Sequence, residues 1–419
     1  MDQSISRLLA HERIRAARHH LERTDEVTLA RQAALSAIPA PTGAEGRRAA
    51  HVAELFREVG LQDVLIDEVG NVHGWVGSNG GRADVQAPVV LSAHLDTVFG
   101  PDVNVAVERR GQRLEGPGIS DNARGLAALV AVAEALVAAR VPIARPLLFA
   151  ATVGEEGSGD LRGVKYLLNG KSGKGERGGV HPAPVAFIAL DGAGLERVVH
   201  RALGSKRYRV TFRGPGGHSW AAFGVANPAN AVGRATALLA DLPTSKAPRT
   251  TCAVVRLGGG TGLNSIPQEA WLDLDLRSED PKALAQLDVT VGAALDRALD
   301  DENRRRAPGT PPLRLERQPV GDRPSGVTPR THPLVQAAVA ANRVLGRDAE
   351  LASASTDANV PIALGIPAIA LGAGGKAGDA HLATEWYENT EGALGIVRAL
   401  LVTAAMAGVA QQGDSRPST

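Results

Sequence analysis

The sequence predicts an α/β fold: a layered domain with a mostly parallel central sheet, plus an inserted α+β sandwich. Three observations predict it. Short apolar runs that read as buried strands alternate with helical segments as far as Leu190. Beyond His200 the strands instead alternate polar and apolar residues, as a sheet with one wet face does. Towards the C-terminus the buried style returns, so the first domain is discontinuous. The expected boundaries are 1–201, with a helical extension over 1–37, then 202–320 for the insertion and 321–419 for the second part of the first domain.

In chain order, the stretch to Ala37 is rich in Ala, Arg, Leu and Glu with helical periodicity. Pro39-Ala40-Pro41-Thr42-Gly43 breaks it, and Glu45 to Gly60 resumes as a helix on Val52, Leu55, Phe56 and Val59. Val64–Asp67 and Val72–Val76 read as strands joined by a turn. Buried strands follow at Pro88–Ala93, Pro146–Thr152 and Val185–Leu190, separated by helices at Gly125–Ala139 and Leu161–Leu168. In the insertion, Lys206–Arg213 and Trp271–Arg277 alternate, and helices run over Pro228–Leu239 and Pro281–Asp300. A helix at Pro333–Leu345 and a strand at Pro367–Leu371 close the first domain, and the polar segment Gln411–Thr419 is expected to fray.

Composition removes several function classes. The 419 residues carry 46 basic and 45 acidic side chains, so no net charge draws nucleic acid or an anionic membrane. The N-terminus lacks an apolar core like that of a signal peptide, and no run nears the ~20 apolar residues of a membrane span, which reads as cytoplasmic. The single cysteine, Cys252, leaves no partner for a disulfide and no thiolate cluster, so a metal would fall to His and carboxylates. In its Val-rich setting Cys252 reads as a small buried hydrophobe.

The chemistry gathers at strand ends. Ser92-Ala93-His94-Leu95-Asp96-Thr97 ends one buried run, and alternation turns His94 and Asp96 to one side, where the carboxylate can fix the imidazole tautomer. Ligands bind beyond the carboxyl ends of strands in open α/β sheets. Gly118-Ile119-Ser120-Asp121-Asn122 precedes a long helix, so Asp121 is either a ligand or a helix cap. Glu155-Glu156 follows the next buried strand, and adjacent carboxylates there call for a compensating cation unless they are simply solvated. Asp191 ends the third such strand, and His381 follows a glycine-rich loop. Two His with several carboxylates suit Zn, Mn or Co, and the surplus of carboxylates suits two ions sharing one.

In this order, His94-Leu95-Asp96-Thr97-Val98, Gly118-Ile119-Ser120-Asp121-Asn122, Glu155-Glu156-Gly157, Asp191 and His381 resemble the motif set of the M20 family of metallopeptidases and amidohydrolases, across nearly the whole chain. The resemblance implies a zinc-peptidase-like catalytic domain with an inserted lid or dimerisation domain. It implies two divalent ions, zinc or else cobalt or manganese, with His94 and Asp191 holding one, Glu156 and His381 the other, and Asp121 bridging. Asp96 then orients His94, and Glu155 is the general base. The family often has a cis peptide after the bridging Asp, which marks the Asp121–Asn122 bond.

Within the insertion, Gly214-Pro215-Gly216-Gly217-His218-Ser219 is similar to the segment whose His stabilises the oxyanion in a neighbouring subunit's site; otherwise His218 is an exposed turn residue. Asn264 and Arg277 look like residues aimed at a substrate carboxylate. Ser355-Thr356-Asp357 resembles a stretch lining the family's cleft, although Thr356 and Asp357 could equally cap a helix. The implied activity is amide hydrolysis, on the peptidase T-like aminopeptidase side. An N-acyl amino acid amidohydrolase or glutamate-carboxypeptidase-like enzyme is the alternative, and an inactive metal-binding interaction protein the remote one. The implied partners are a small peptide or acyl amino acid and a second copy of the chain, bound through the inserted domain.

Overall fold

Residues 1–77, 86–169, 179–180 and 182–410 are described by a computed structural model. The expected fraying of 411–419 lies outside them. The chain starts with helices α1 (Asp2–Ala10), α2 (Glu12–Arg23), α3 (Asp25–Ser36) and α4 (Gly46–Glu58). Strands β1 (Gln62–Ile66), β2 (Val72–Val76), β3 (Val89–His94), β4 (Glu108–Arg110) and β5 (Arg113–Glu115) follow, then α5 (Ala123–Ala138). Next come β6 (Leu147–Thr152), α6 (Arg162–Asn169), β7 (Ala186–Leu190) and β8 (Arg197–Ala202).

The middle of the chain contains β9 (Gly204–Arg213), β10 (Gly217–His218), α7 (Pro228–Ala240), β11 (Thr250–Gly259), β12 (Ser265–Ile266) and β13 (Glu269–Ser278). It continues through α8 (Pro281–Arg305) and β14 (Arg314–Arg323) to the short β15 (Gly326–Val327). The last part has α9 (Pro333–Val344), β16 (Glu350–Ala354), α10 (Asn359–Ala363) and β17 (Ala368–Leu371), then β18 (Lys376–Gly378), β19 (Trp386–Glu388) and α11 (Gly392–Ala407). Met1–Ala202 with Val327–Thr419 forms one compact unit and Leu203–Gly326 another.

In the first unit the sheet order is β1-β2-β6-β3-β7-β17-β8, with β16 beside β8. Its centre, β6-β3-β7-β17, is parallel, and every residue of β3, β6, β7 and β17 is buried. Burial on both faces explains why these runs are continuously apolar rather than alternating. Parallel pairing puts the carboxyl ends of all four strands on one edge, and the segments that follow them gather there. The flanking pairs β1–β2, β2–β6 and β17–β8 are antiparallel.

Helix α5 is apolar almost all round because it lies between β3 and a layer of α2, α3 and α11. The N-terminal extension is three helices rather than one run. The chain turns at His11, whose ring nitrogen accepts from Arg13 N, and again at Thr24. Each helix buries an apolar stripe, including Ile5, Ile14, Leu21, Leu29 and Leu35, and each such side chain contributes ~1.5–3 kcal/mol. A small antiparallel sheet, β18-β19-β5-β4, lies outside the sequence reading altogether. Among the described residues no helix is long and apolar enough to cross a membrane.

The second unit is an antiparallel sheet in the order β11-β13-β9-β14, with α7 and α8 packed on one face. Both helices start on an Asx-Pro pair: Asn227 and Asp280 cap the backbone, and Pro228 and Pro281 supply the preset first turn. Val210, Phe212, Leu272, Leu274 and Leu276 face the helices. The two edge strands, β11 and β14, escaped the sequence reading. An edge strand is half wet on both faces, which blurs the period, and Pro319 within β14 is tolerated only at an edge. Cys252 lies on β11, so it is half-buried, not buried as expected.

Candidate metal centre

His94 ends β3 and is buried. Its Nδ1 is 3.0 Å from the main-chain carbonyl of Asp96, an acceptor only, so Nδ1 carries the proton and Nε2 faces the carboxylates. Nε2 is 3.0 Å from Asp121 Oδ1 and 3.8 Å from Asp191 Oδ1. The carboxylate of Asp96 is 3.6 Å from His94 Nδ1, while its own main-chain carbonyl takes the Nδ1 proton, so the residue meets the imidazole through both groups. The carboxylate also accepts from the main-chain amides of Glu155 and Glu156, both at 2.9 Å, and from Thr42 Oγ1 at 2.8 Å. Those amides follow β6, the parallel neighbour of β3, so Asp96 fixes the paired glutamates.

Asp121 does not cap the helix that follows it; its neighbour does. Asn122 is the N-cap of α5, its Oδ1 accepting from Gly125 N at 3.1 Å, while its Nδ2 donates to Leu190 O at 2.8 Å. Gly125 has to be glycine, because a Cβ there would lie 2.1 Å from Asn122 Oδ1 and 2.5 Å from Leu190 O. The Asp121–Asn122 peptide is cis. Asp121 is left to face two histidines, Oδ1 towards His94 and Oδ2 3.1 Å from His381 Nε2. His381 Nε2 is also 3.1 Å from Glu156 Oε1, and its backbone is left-handed at φ 68°.

His94, Asp121 and Glu156 each offer a ligand atom, all within 4.8 Å of one another. Asp191 meets the same Nε2 of His94 as Asp121 does, and His381 joins Asp121 to Glu156. Hydrogen bonds to Asp121 and Glu156 hold His381 up at about 10. Burial pulls His94 down, yet Asp121, Asp191 and Asp96 outweigh it and keep its pKa well raised. Among the described residues, the ion-pair partners of Asp121, Glu156 and Asp191 are histidines, with no Lys or Arg. Nitrogen and carboxylate donors, with three carboxylates to two histidines, fit divalent transition metals.

Glu155 is buried beside Glu156, its amide on Asp96. A cavity of about 210 Å³ opens at Asp121 and Asp191 and is also lined by Arg197, Val199, Ser355 and Thr356. Thr356 accepts from Ala358 N at 3.2 Å, a local turn, whereas Asp357 neither caps α10 nor reaches this cavity. Asp357 points inward, 2.5 Å from Thr152 Oγ1, and burial raises its carboxyl to about 6.

In the second unit β10 pairs with β12, and Ser219 N donates to Asn264 O at 2.8 Å, so His218 and Asn264 are neighbours. Both are exposed. The pairing does not bring Arg277 to them. Gly214 N donates to Gln268 O beside the Glu269 end of β13, whereas Arg277 lies near the other end with its Nε on Asp275 at 2.9 Å.

Sequence reading missed Glu385. It is wholly buried, and its carboxylate accepts from Gly118, Ser120 and Asp121. Its sequence context, Thr384-Glu385-Trp386, looks like any surface acid.

A sequence model of peptidase family M20/M25/M40 matches residues 90–407. A curated relative, succinyl-diaminopimelate desuccinylase of Methylibium petroleiphilum, is 30% identical over 231 residues. That match spans 52% of this chain and 58% of the relative, so the chain aligns with little more than half of the relative's length. The solved aminopeptidase PepT of Bacillus cereus superimposes with a TM-score of 0.70 at 20% identity, covering 91% of this chain and 99% of that one. A dinuclear metal-binding M20 peptidase of Bacillus subtilis gives 0.63 at 16%, covering 92% and 98%. At these identities the structural likeness is one of fold.

Proposed function

The chain belongs to peptidase family M20/M25/M40, and on that premise we propose that it is a peptidase T-like aminopeptidase cleaving short peptides with two divalent metal ions. That it is a hydrolase of the peptidase and amidohydrolase kind follows from the family. The observation that carries the dinuclear reading is Asp121, whose two oxygens face two histidines, each of which meets a further carboxylate. In this reading His94 and Asp191 would hold one ion, His381 and Glu156 the other, and Asp121 would be shared. Zinc is the first choice, with cobalt or manganese as alternatives. The ions supply Lewis acidity, polarising the amide carbonyl and acidifying water.

The chain's own groups do the rest. Glu155 takes a proton from the attacking water and returns it to the leaving amine. Asp96 holds the Glu155 and Glu156 amides and so fixes where the base stands. His218 donates to the carbonyl oxygen as it gains charge. Its Nδ1 accepts from Trp220 N at 3.2 Å, which leaves the proton on Nε2 as an exposed donor. Thr356 lines the substrate cavity, and Asn264 and Arg277 bind the substrate carboxylate from different copies of the chain, since they lie by opposite ends of β13. A homodimer through the second unit is supported by its open edge strand β11 and by Trp220 and Phe223, 88% and 87% exposed.

The second reading, hydrolysis of an N-acyl amino acid, is favoured by the desuccinylase relative. Metal analysis and a paired screen of di- and tripeptides against N-acyl amino acids test both. Two ions per chain with tripeptide cleavage supports the first reading. Two ions with acyl amino acids alone turned over supports the second, and no turnover of any substrate leaves the binding-protein alternative. Glu155→Gln should keep its metal and lose at least ~10³-fold in turnover; a fully active variant removes Glu155 from this role.

A further inference from the structure

The five residues before the cis bond, Pro117 to Asp121, are gripped from two sides. On one side Glu385 Oε2 accepts from Gly118 N at 2.9 Å. Its Oε1 accepts from Ser120 N and Ser120 Oγ, both at 2.7 Å, and from Asp121 N at 2.9 Å. On the other side helix α3 takes the carbonyls. Ser36 Oγ donates to Pro117 O at 3.0 Å and Gln32 Nε2 to Ile119 O at 2.8 Å. Amides thus turn to Glu385 and carbonyls to the N-terminal extension.

Glu385 also belongs to the loop of the second histidine. It lies four residues after His381, and the intervening chain is a chain of turns, with Leu382 N on Asp379 O and Glu385 N on Leu382 O. The small sheet fixes it from behind. Trp386 of β19 pairs with Glu115 of β5, and Gly116 N donates to Glu385 O at 2.9 Å. One buried side chain therefore ties the Asp121 segment to the His381 segment, which are 260 residues apart in sequence.

We propose that Glu385 is a positioning residue, fixing Asp121 and His381 relative to each other so that both oxygens of Asp121 are presented before any cation arrives. The role rests on Asp121 and His381 being metal ligands. A carboxylate that takes three main-chain amides and a hydroxyl sets a loop in one conformation, because each of those donors would otherwise be buried without a partner. Groups that orient metal ligands in this way typically alter metal affinity by about 10–100-fold when removed.

The test uses the full chain as Glu385→Ala and Glu385→Gln. Hydrogen exchange on chelator-treated protein reads the Gly118, Ser120 and Asp121 amides directly. Competition with a chelator reads zinc affinity, and the visible spectrum of the cobalt-substituted protein reads ligand geometry. Glu385→Ala should lose at least ~10-fold of the protection at those amides, with the helices unchanged, and ~10–100-fold in zinc affinity with an altered cobalt spectrum. Glu385→Gln keeps an acceptor at Oε1 but turns an amide NH₂ on Gly118 N, so at least a ~3-fold loss of zinc affinity is expected. Should Glu385→Ala fail to fold, the Gln variant decides. Native exchange rates, or native zinc affinity and cobalt spectrum, would overturn the proposal. A native protein that binds no divalent ion would sink the ligand reading instead, with the exchange data still deciding the clamp.

Discussion

The candidate metal centre of the first unit and the sheet of the second keep their carboxylates in opposite company. In the second unit Asp273 lies on β13 between its cross-strand neighbours, bonded by Arg209 and by Arg256 at 2.7 Å, with Arg209 stacked over Trp271. Asp288 meets Lys206 and Arg317, and Glu302 meets Arg234 at 3.0 Å. In the first unit Asp121, Glu156 and Asp191 meet only imidazoles among the described residues. A guanidinium neutralises a carboxylate permanently, since it cannot lose its proton, whereas an imidazole nitrogen can yield its place to a metal. Charges matched inside the chain serve the fold. Charges left for a cation from outside mark a site.

The largest effect should come from breaking that rule at its centre. Asp121→Asn removes the carboxylate shared by both histidines. The proposal expects metal content to drop below two ions per chain and turnover to fall by at least ~10³-fold, several kcal/mol of transition-state stabilisation. The sharper half of the prediction concerns stability. In chelated protein Asp121 still pairs with His94 and His381, whose pKa values it raises, so some loss of melting temperature is expected there. Added zinc should then raise the melting temperature of native protein more than that of the variant; equal shifts would show that Asp121 serves the fold as Asp273 does, and the comparison would fail.

The converse variant is Asp273→Asn. Losing the charge behind three hydrogen bonds from two arginines should cost about 2 kcal/mol of stability while metal content and turnover stay native. Burial raises the Asp273 carboxyl, but Arg209 and Arg256 hold it below the usual carboxylate value. A depressed folded pKa contributes stability above the unfolded pKa, and that contribution is lost as pH falls through the folded value. The gap between native protein and variant should thus stay level from pH 7 to 5 and close below about 3.9. Thermal unfolding across that range measures it; a gap that widens in acid removes this account of Asp273.

Much of this division could be read from residues in order. The buried strands announced themselves as unbroken apolar runs, and a His or carboxylate at each end of β3, β6 and β7 pointed to one edge of the sheet. What stayed hidden is what depends on residues far apart. The strands β4 and β5 are three residues each and mostly charged, so they carry no period, yet with β18 and β19 they join the segments of Asp121 and His381. Glu385 becomes significant only once that sheet brings it beneath Gly118 to Asp121. The further partners of Asp96 were hidden in the same way, because the amides that its carboxylate takes come from β6's exit and not from its own strand.

The smallest expected effect belongs to a pair that is neither fold nor site. On α2, Arg18 Nε lies 2.7 Å from Glu22 Oε1, one turn on, with the side chains 39% and 44% exposed. Water screens the pair, both long side chains lose freedom to make it, and the Arg-before-Glu order is the weaker one along a helix. Arg18→Ala should change stability by no more than about 0.5 kcal/mol, and the difference should shrink further in 1 M salt, where the screening length falls to about 3 Å. Metal content should not move. A loss above about 1 kcal/mol that survives high salt would mean that the alkyl stem of Arg18 covers apolar surface of the extension. The α2 face would then belong with the second unit's buried pairs, and charge pairing alone would no longer separate fold from site.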